Sequence, residues 1–161
     1  MLAIAVIIVS ILVVAGSVMW VQPTARDKLL ADLRMKAIKT GIKVQQCQID
    51  DTSNEGRINK WTRSVMSYRK LVTNTKRSTV TIVRTNGESG IHLPEGWIWD
   101  NDIRLNSSQL SQIREMIEGF PDSIICIEFT AGYVGIAWDE HDASEFDQIA
   151  LWLEQLLEIN W

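Results

Sequence analysis

The chemically richest group of side chains in this sequence is the run Asp139, Glu140, His141 and Asp142. Carboxylates and an imidazole can together bind a divalent cation, and histidine is the side chain that most readily exchanges a proton near neutral pH. Consecutive residues point their side chains in different directions, however, and this run immediately precedes a predicted helix. Acidic residues at that position complement the positive end of the helix macrodipole. We therefore predict that the run caps a helix and holds no metal ion.

The other residues that could support catalysis form no catalytic pattern. His92 is isolated in an irregular stretch, and Cys47 and Cys126 have neither a CxxC partner nor a neighbouring histidine. The chain contains no Walker-type, GxGxxG or GxSxG glycine pattern. The sequence therefore predicts a protein that is not an enzyme and uses no cofactor, with two ordinary buried cysteines.

Two tryptophans form the first candidate partner surface. Trp97 and Trp99 are two residues apart in an extended segment, so their rings share a face. The preceding segment 94–96 (PEG) suggests that the chain leading into this pair is exposed. The pair could grip a peptide or enter a membrane interface, or it could cover the edge of a sheet.

The charge distribution gives the second candidate surface. Between Arg57 and Arg84 there are eight Lys or Arg residues and no acid, whereas residues 85–161 contain fifteen acids and two arginines. The candidate partner residues in the basic segment are Arg69, Lys70, Lys76 and Arg77. With aromatic residues interleaved, they could form a platform for single-stranded nucleic acid. Alternatively, basic strands and acidic helices lie side by side and neutralise each other. No RNA-binding motif accompanies the segment, so nucleic acid is the less favoured partner.

Apolar periodicity and turn residues predict the elements that position these side chains. The predicted strands are Ile42–Ile49, Arg63–Val72, Thr79–Thr85, Ile124–Thr130 and Tyr133–Trp138, and we expect the second and third, and the fourth and fifth, to form hairpins. The predicted helices cover about 24–40, a segment starting at Ser107 or Ser108 and ending near Phe120, and a C-terminal segment capped by Ser144 and Asp147. Thr24 and Asp27 form the first cap, and Gly41 follows the first helix.

The chain opens with an uncharged run, Leu2–Val21, which is long enough to cross a bilayer as a helix. Trp20 lies at its end, where an aromatic ring prefers the headgroup level. Because no basic side chain precedes the run, a retained anchor is favoured over a cleaved signal peptide. We predict a transmembrane helix over 1–22 and a single two-layer α+β domain over 23–161, with mostly antiparallel strands in the order α-β-β-β-α-β-β-α.

Basic residues beside the run predict its orientation. Six lie between Gln22 and Lys43: Arg26, Lys28, Arg34, Lys36, Lys39 and Lys43. The positive-inside rule then places the N-terminus outside the bacterial inner membrane and the domain in the cytoplasm. Four of these residues are predicted to rest at the membrane interface with Trp20, namely Arg26, Lys28, Lys36 and Lys39. A count of two cysteines also suits a reducing compartment.

The layout of the first fifty residues resembles that of the YajC-type accessory subunit of the preprotein translocase. Val21-Gln22-Pro23 follows the apolar run, the charged helix Arg26–Lys39 comes next, and Gly41 leads into a strand. The layout is also similar to a gammaproteobacterial family of single-pass inner-membrane proteins. The resemblance implies an accessory role in an inner-membrane complex and brings no catalytic residues. It covers less than a third of the chain, and the YajC type has a shorter soluble part.

These patterns together predict a membrane-anchored, non-enzymatic cytoplasmic domain that binds or scaffolds other proteins. Its expected partners are the lipid bilayer, through residues 2–21, and a membrane or cytoplasmic protein. The alternative is a ligand- or nucleic-acid-sensing domain that uses a basic hairpin at 57–84.

Overall fold

The computed structural model describes residues 2–20, 23–51, 61–72, 79–101 and 105–159. The chain divides into two compact units, Met1–Asp32 and Leu33–Trp161. The described helices and strands are α1 Leu2–Trp20, α2 Ala25–Lys39, β1 Lys43–Asp51, β2 Trp61–Leu71, β3 Val80–Arg84, β4 Trp97–Trp99, α3 Ser107–Glu118, β5 Ile124–Phe129, β6 Tyr133–Trp138, a 3₁₀ turn Ala143–Glu145 and α4 Phe146–Glu158.

The predicted transmembrane helix over 1–22 is wrong. Among the described residues, no helix is long and apolar enough to cross a membrane. The predicted single-pass inner-membrane location, with the N-terminus outside and the domain cytoplasmic, is wrong for the same reason.

The first unit contains the cap predicted at the start of α2. The Thr24 N–H and hydroxyl donate to Asp27 Oδ2 at 2.9 and 2.7 Å, and the Asp27 N–H donates to Thr24 Oγ1 at 3.2 Å. These hydrogen bonds hold the pKa of Asp27 below its usual value. The predicted cap is confirmed, since both residues satisfy amide groups that the helix leaves free.

The second unit is built on a six-stranded antiparallel sheet with the order β1-β2-β6-β5-β3-β4. The α+β class with antiparallel strands is thus confirmed. The predicted hairpin of β2 with β3 is wrong, because the β5–β6 hairpin lies between them. In the register, Tyr68 pairs with Ile136 on β6, and Ile82 pairs with Ile127 on β5. β5 and β6 are buried along almost their whole length, and strands apolar on both faces belong in the centre of a sheet.

Strand β4 was not predicted. Its three residues pair with β3 at one edge of the sheet, with Val83 opposite Ile98. Gly96, at a φ of +84°, turns the chain into the strand, and its carbonyl accepts from the Thr85 N–H at 2.9 Å. Three residues are too few to show an alternating pattern in a sequence.

The main core lies between one face of the sheet and the helices. Its helical side includes Leu33, Ala37, Ile113, Ile117, Phe146, Ile149, Leu153 and Leu156, and its strand side includes Tyr68, Ile82, Ile127, Ile136 and Trp138. The apolar stripe predicted for α4 is therefore confirmed as its buried face. This layer fixes where α3 and α4 lie on the sheet.

Two helix caps differ from the prediction. Asn106, and not Ser107 or Ser108, caps α3: its side chain accepts from the Gln109 N–H at 2.9 Å, and the Gln109 side chain accepts from the Asn106 N–H at 2.9 Å. At the C-terminal helix, Asp142 accepts from the Ser144 N–H at 2.9 Å and starts the 3₁₀ turn before α4. An asparagine or aspartate one or two residues upstream satisfies the same amide groups as a serine would.

Candidate functional site

The run 139–142 makes local hydrogen bonds and capping contacts. Asp139 Oδ1 accepts from the His141 N–H at 2.8 Å, and Asp142 caps the 3₁₀ turn. Its hydrogen bonds with Ser144 hold the pKa of Asp142 below its usual value. In the described part of the chain, no group of three His, Cys, Asp or Glu side chains could hold a metal ion. The capping interpretation is confirmed for Asp142.

Glu140 has a different role, which the sequence did not indicate. Its side chain is 6% exposed and its φ is +55°, a left-handed conformation that is rare outside glycine. Glu140 Oε1 accepts from the Tyr68 hydroxyl at 2.6 Å and from Arg34 Nε at 2.9 Å, and Oε2 pairs with Arg34 Nη2. Burial, and then the hydrogen bond to Glu140, raises the pKa of the Tyr68 phenol. These contacts connect Glu140, which follows β6, to Tyr68 of β2 and Arg34 of α2.

A second polar cluster lies on the other face of the sheet, around Arg69. The guanidinium pairs with Glu128 at 3.1 Å, donates to Ser67 Oγ at 3.0 Å and to Gln45 Oε1 at 2.9 Å, and stacks 4.3 Å from the Tyr133 ring. Arg69 is 12% exposed. The guanidinium therefore donates to side chains of the domain itself. Little of the Arg69 side chain is exposed to another molecule.

Two further residues of the basic segment 57–84 are also paired with acids. Lys70 forms an ion pair with Glu154 of α4. Arg84 pairs with Asp122 at 3.0 Å. Lys76 and Arg77 lie outside the described residues. The contacts agree with the alternative in which basic strands and acidic elements neutralise each other.

Trp97 and Trp99 share a face, but that face is the core side at the edge of the sheet. Trp97 is 2% exposed and packs edge-on against Phe120, with ring centroids 6.2 Å apart. Trp99 is half-buried, and its Nε1 donates to the Ile91 carbonyl at 2.9 Å. Both rings cover the sheet edge, so Trp97 offers a partner almost no surface.

The residues predicted for a membrane interface lie mostly on exposed surface. Arg26, Lys28 and Lys39 are exposed. Lys36 is also exposed, pairs with Asp147 at 2.6 Å and lies 5.1 Å from the Phe146 ring. The side chain of Trp20 is outside the described set.

A groove of about 550 Å³ lies between α3 and α4. Its apolar part consists of Met116, Trp152 and Ile159, of which the first two are half-buried. Its polar lining residues are exposed and comprise Gln112, Glu115, Gln155 and Glu158. Gly119 also lines the groove. An apolar floor with a polar rim is the general anatomy of a protein-binding surface.

The acidic side chains of α3 and α4 fall into two groups. Those directed away from the groove are paired: Glu118 with Arg114 at 3.0 Å, Asp147 with Lys36, and Glu154 with Lys70. The two that line the groove, Glu115 and Glu158, have no ion-pair partner among the described residues. Negative charge is therefore concentrated at the groove.

The ends of the two helices also carry partial negative charge. Gly119 caps the C-terminus of α3, and Glu158 is the last residue of α4. The C-terminal end of a helix carries a partial negative charge, which basic side chains in the last turn commonly offset. Neither α3 nor α4 has a basic residue in its last turn. At α3, the Arg84 guanidinium already donates to the Pro121 carbonyl just beyond the helix. The end of α4 and the two carboxylates therefore favour a positively charged occupant.

The two cysteines are reactive groups that the groove does not include. Burial raises the pKa of the Cys126 thiol well above its usual value, and the pKa of half-buried Cys47 is raised for the same reason. A low-pKa, exposed thiolate is the form required for nucleophilic chemistry. Both cysteines therefore fit a structural role.

We expect the stability of the domain to fall as the pH rises above about 8, and we expect Cys126→Ala to reduce that fall. The unfolded thiol loses its proton near pH 8.5, whereas the folded thiol keeps it, so the folded state binds more protons at high pH. Between about pH 7.5 and 9.5 this difference removes about 1 kcal/mol of unfolding free energy. Urea unfolding at the two pH values measures it. Cys47→Ala is the control and should change the decline less; an unchanged decline in Cys126→Ala would contradict the prediction.

The residues of the groove were not singled out in the sequence. Glu115 and Glu158 belong to regular helical patterns, and only the packing of α3 and α4 on the sheet brings them to one groove. Their interpretation rests on their own chemistry, because no family model, no curated protein and no solved structure matches this chain.

Proposed function

We propose that this chain is a non-enzymatic interaction domain that binds a basic segment of another protein in the groove between α3 and α4. The observation that carries the proposal is the pairing pattern of the acids. Of the acids on α3 and α4, those that line the groove lack an ion-pair partner in the described structure. A cationic partner would supply the missing charge.

The apolar and acidic residues of the groove would contribute to binding in different ways. Met116 and Trp152 offer an apolar anchor site, and aromatic residues and methionine are enriched at the centres of interfaces. Glu115 and Glu158 are exposed, so each ion pair with a partner contributes only about 0.2–1 kcal/mol. The anchor would therefore supply most of the affinity, while the carboxylates would select basic partners and accelerate their association.

The absence of an enzymatic role is supported by the contacts of the reactive side chains. Glu140 accepts hydrogen bonds from Tyr68 and Arg34, and Cys126 is buried. Binding of nucleic acid by the basic segment is less well supported, because Arg69, Lys70 and Arg84 are already paired with acids.

A defined peptide tests the proposal. The probe is an amphipathic helical peptide of about 14 residues of leucine and lysine, with leucine at helical spacing. We expect the full chain to bind it at least about tenfold tighter than the same peptide with glutamate in place of lysine, because the groove repels acids. Titration followed by the NMR signal of the Trp152 indole N–H reports both affinity and location.

Charge reversal at the groove provides the matched comparison. The double variant Glu115→Lys and Glu158→Lys should lose about tenfold or more in affinity for the lysine peptide at low salt. Glu118→Gln is the control, because Glu118 lies in the same turn but is paired with Arg114, and it should change affinity less than about twofold. Equal binding of the lysine and glutamate peptides, or no perturbation of Trp152, would refute the proposal.

A further inference from the structure

Three aromatic rings connect the edge of the sheet to the groove. Trp97 packs edge-on against Phe120 with centroids 6.2 Å apart, and Phe120 packs against Trp152 with centroids 4.6 Å apart. Phe120 is almost fully buried, and Trp152 lines the groove. The row therefore holds the Trp152 indole in a defined position while leaving part of it exposed.

One end of this row is covered by an arginine of the chain itself. The Arg84 guanidinium lies 4.6 Å from the centroid of the Trp97 ring. Its Nε donates to the Ile124 carbonyl at 2.9 Å, its Nη2 to the Pro121 carbonyl at 2.6 Å, and its Nη1 to Asp122 at 3.0 Å. Stacking on an indole and hydrogen bonds to carbonyls and a carboxylate are thus combined around one guanidinium.

The other end of the row has the same components without a cation. Trp152 is the half-buried indole, Glu115 and Glu158 are the carboxylates, and the C-terminal end of α4 supplies carbonyl groups. In the described part of the chain, the cations that lie over aromatic rings are at Phe146, Tyr133 and Trp97, and none is at Trp152.

We infer that the basic residue accepted by the groove is an arginine, whose guanidinium stacks on Trp152 and pairs with Glu115 or Glu158. This inference rests on the proposed function and specifies its partner. A guanidinium is planar, is more weakly hydrated than an ammonium, stacks on aromatic faces and donates in a fork that matches a carboxylate. The lysine ammonium is a compact, strongly hydrated charge and lacks that geometry.

Three matched peptides test the inference. They share the leucine framework of the probe above and carry arginine, lysine or citrulline, which keeps the shape of arginine but has no charge. We expect the arginine peptide to bind the full chain about fivefold or more tighter than the lysine peptide, and about tenfold or more tighter than the citrulline peptide. Intermolecular nuclear Overhauser effects between the arginine side chain and the Trp152 ring should accompany binding.

Two kinds of variant locate the preference. Trp152→Leu should retain an apolar floor but abolish the difference between arginine and lysine. Glu115→Gln and Glu158→Gln lie on the surface, where substitutions disturb folding little, and together they should weaken binding of the arginine peptide about tenfold. They keep the test decisive if Trp152→Leu does not fold.

Each result separates the two proposals. Equal affinities for arginine and lysine overturn the arginine inference and leave binding of a basic segment standing. Failure of both peptides to perturb Trp152 overturns both proposals. An arginine preference that persists in Trp152→Leu, or persists undiminished in the double Glu→Gln variant, overturns the stacked and paired geometry.

Discussion

Replacing Glu140 with alanine is expected to lower the free energy of unfolding by about 3 kcal/mol. The Tyr68 hydroxyl is fully buried and donates to Glu140 at 2.6 Å. Without the carboxylate, this donor stays buried and unsatisfied, which alone costs about 1–3 kcal/mol. Arg34 is 34% exposed and can turn toward water, so its loss contributes less.

The same site offers two controls. Glu140→Gly loses the same hydrogen bonds but relieves the left-handed φ, so it should be more stable than Glu140→Ala by about 1 kcal/mol. Adding Tyr68→Phe to Glu140→Ala removes the orphaned hydroxyl and should restore part of the stability, with a coupling energy of about 1 kcal/mol or more. Urea unfolding of the unsubstituted chain, the two Glu140 variants, Tyr68→Phe and the double variant measures both quantities. Additive effects of the two substitutions would show that Tyr68 does not depend on Glu140.

Replacing Gly135 with valine is expected to destabilise the domain by about 3 kcal/mol. Gly135 lies in the middle of β6, and a Cβ there would meet Ser67 Oγ at 3.1 Å, Arg69 Cγ at 3.2 Å and Glu128 Oε2 at 3.2 Å. The methyl groups of valine extend further into the same space. The Arg69–Glu128 ion pair and its hydrogen bonds would have to open, although β-branched residues ordinarily favour strands.

Gly132 provides the matched control for this substitution. It lies between β5 and β6, and a Cβ added there meets no atom within 4 Å. Gly132→Ala should therefore change the unfolding free energy by less than about 0.5 kcal/mol. Gly135→Ala should fall between the two variants. A Gly135→Val variant as stable as Gly132→Ala in urea would mean that the polar cluster adapts and does not require glycine.

Local patterns predicted the elements of this fold better than their arrangement. Strands β5 and β6 and helix α4 were predicted closely, because each has a regular apolar pattern bounded by turn or cap residues. The pairing of β2 with β3 was predicted wrongly, since nothing local to residues 63–85 indicates that another hairpin will separate them. The predicted span over Leu2–Val21 was also wrong, since no helix among the described residues is long and apolar enough to cross a membrane.

The candidate site was harder to predict, for a related reason. Arg69 and Lys70 were expected to face a partner because their charge was counted without their neighbours, and in the fold Glu128 and Glu154 lie against them. The groove depends on α3 and α4, which are separated in the sequence by β5 and β6. Which acids remain unpaired is decided by tertiary packing, so no spacing in the sequence could identify Glu115 and Glu158.

The position of the β5–β6 hairpin also determines the order in which the domain can fold. Its pairs with β2 join residues about 60–70 positions apart, such as Leu71 with Tyr133 and Met66 with Trp138. Such non-local pairing slows folding toward the millisecond-to-second range. During synthesis, the inner edge of β3 has no partner until β5 has been made through Phe129, and that of β2 has none until β6 has been made through Trp138. The nascent domain therefore passes through a period with open strand edges, which makes rapid hairpin formation its main protection against aggregation.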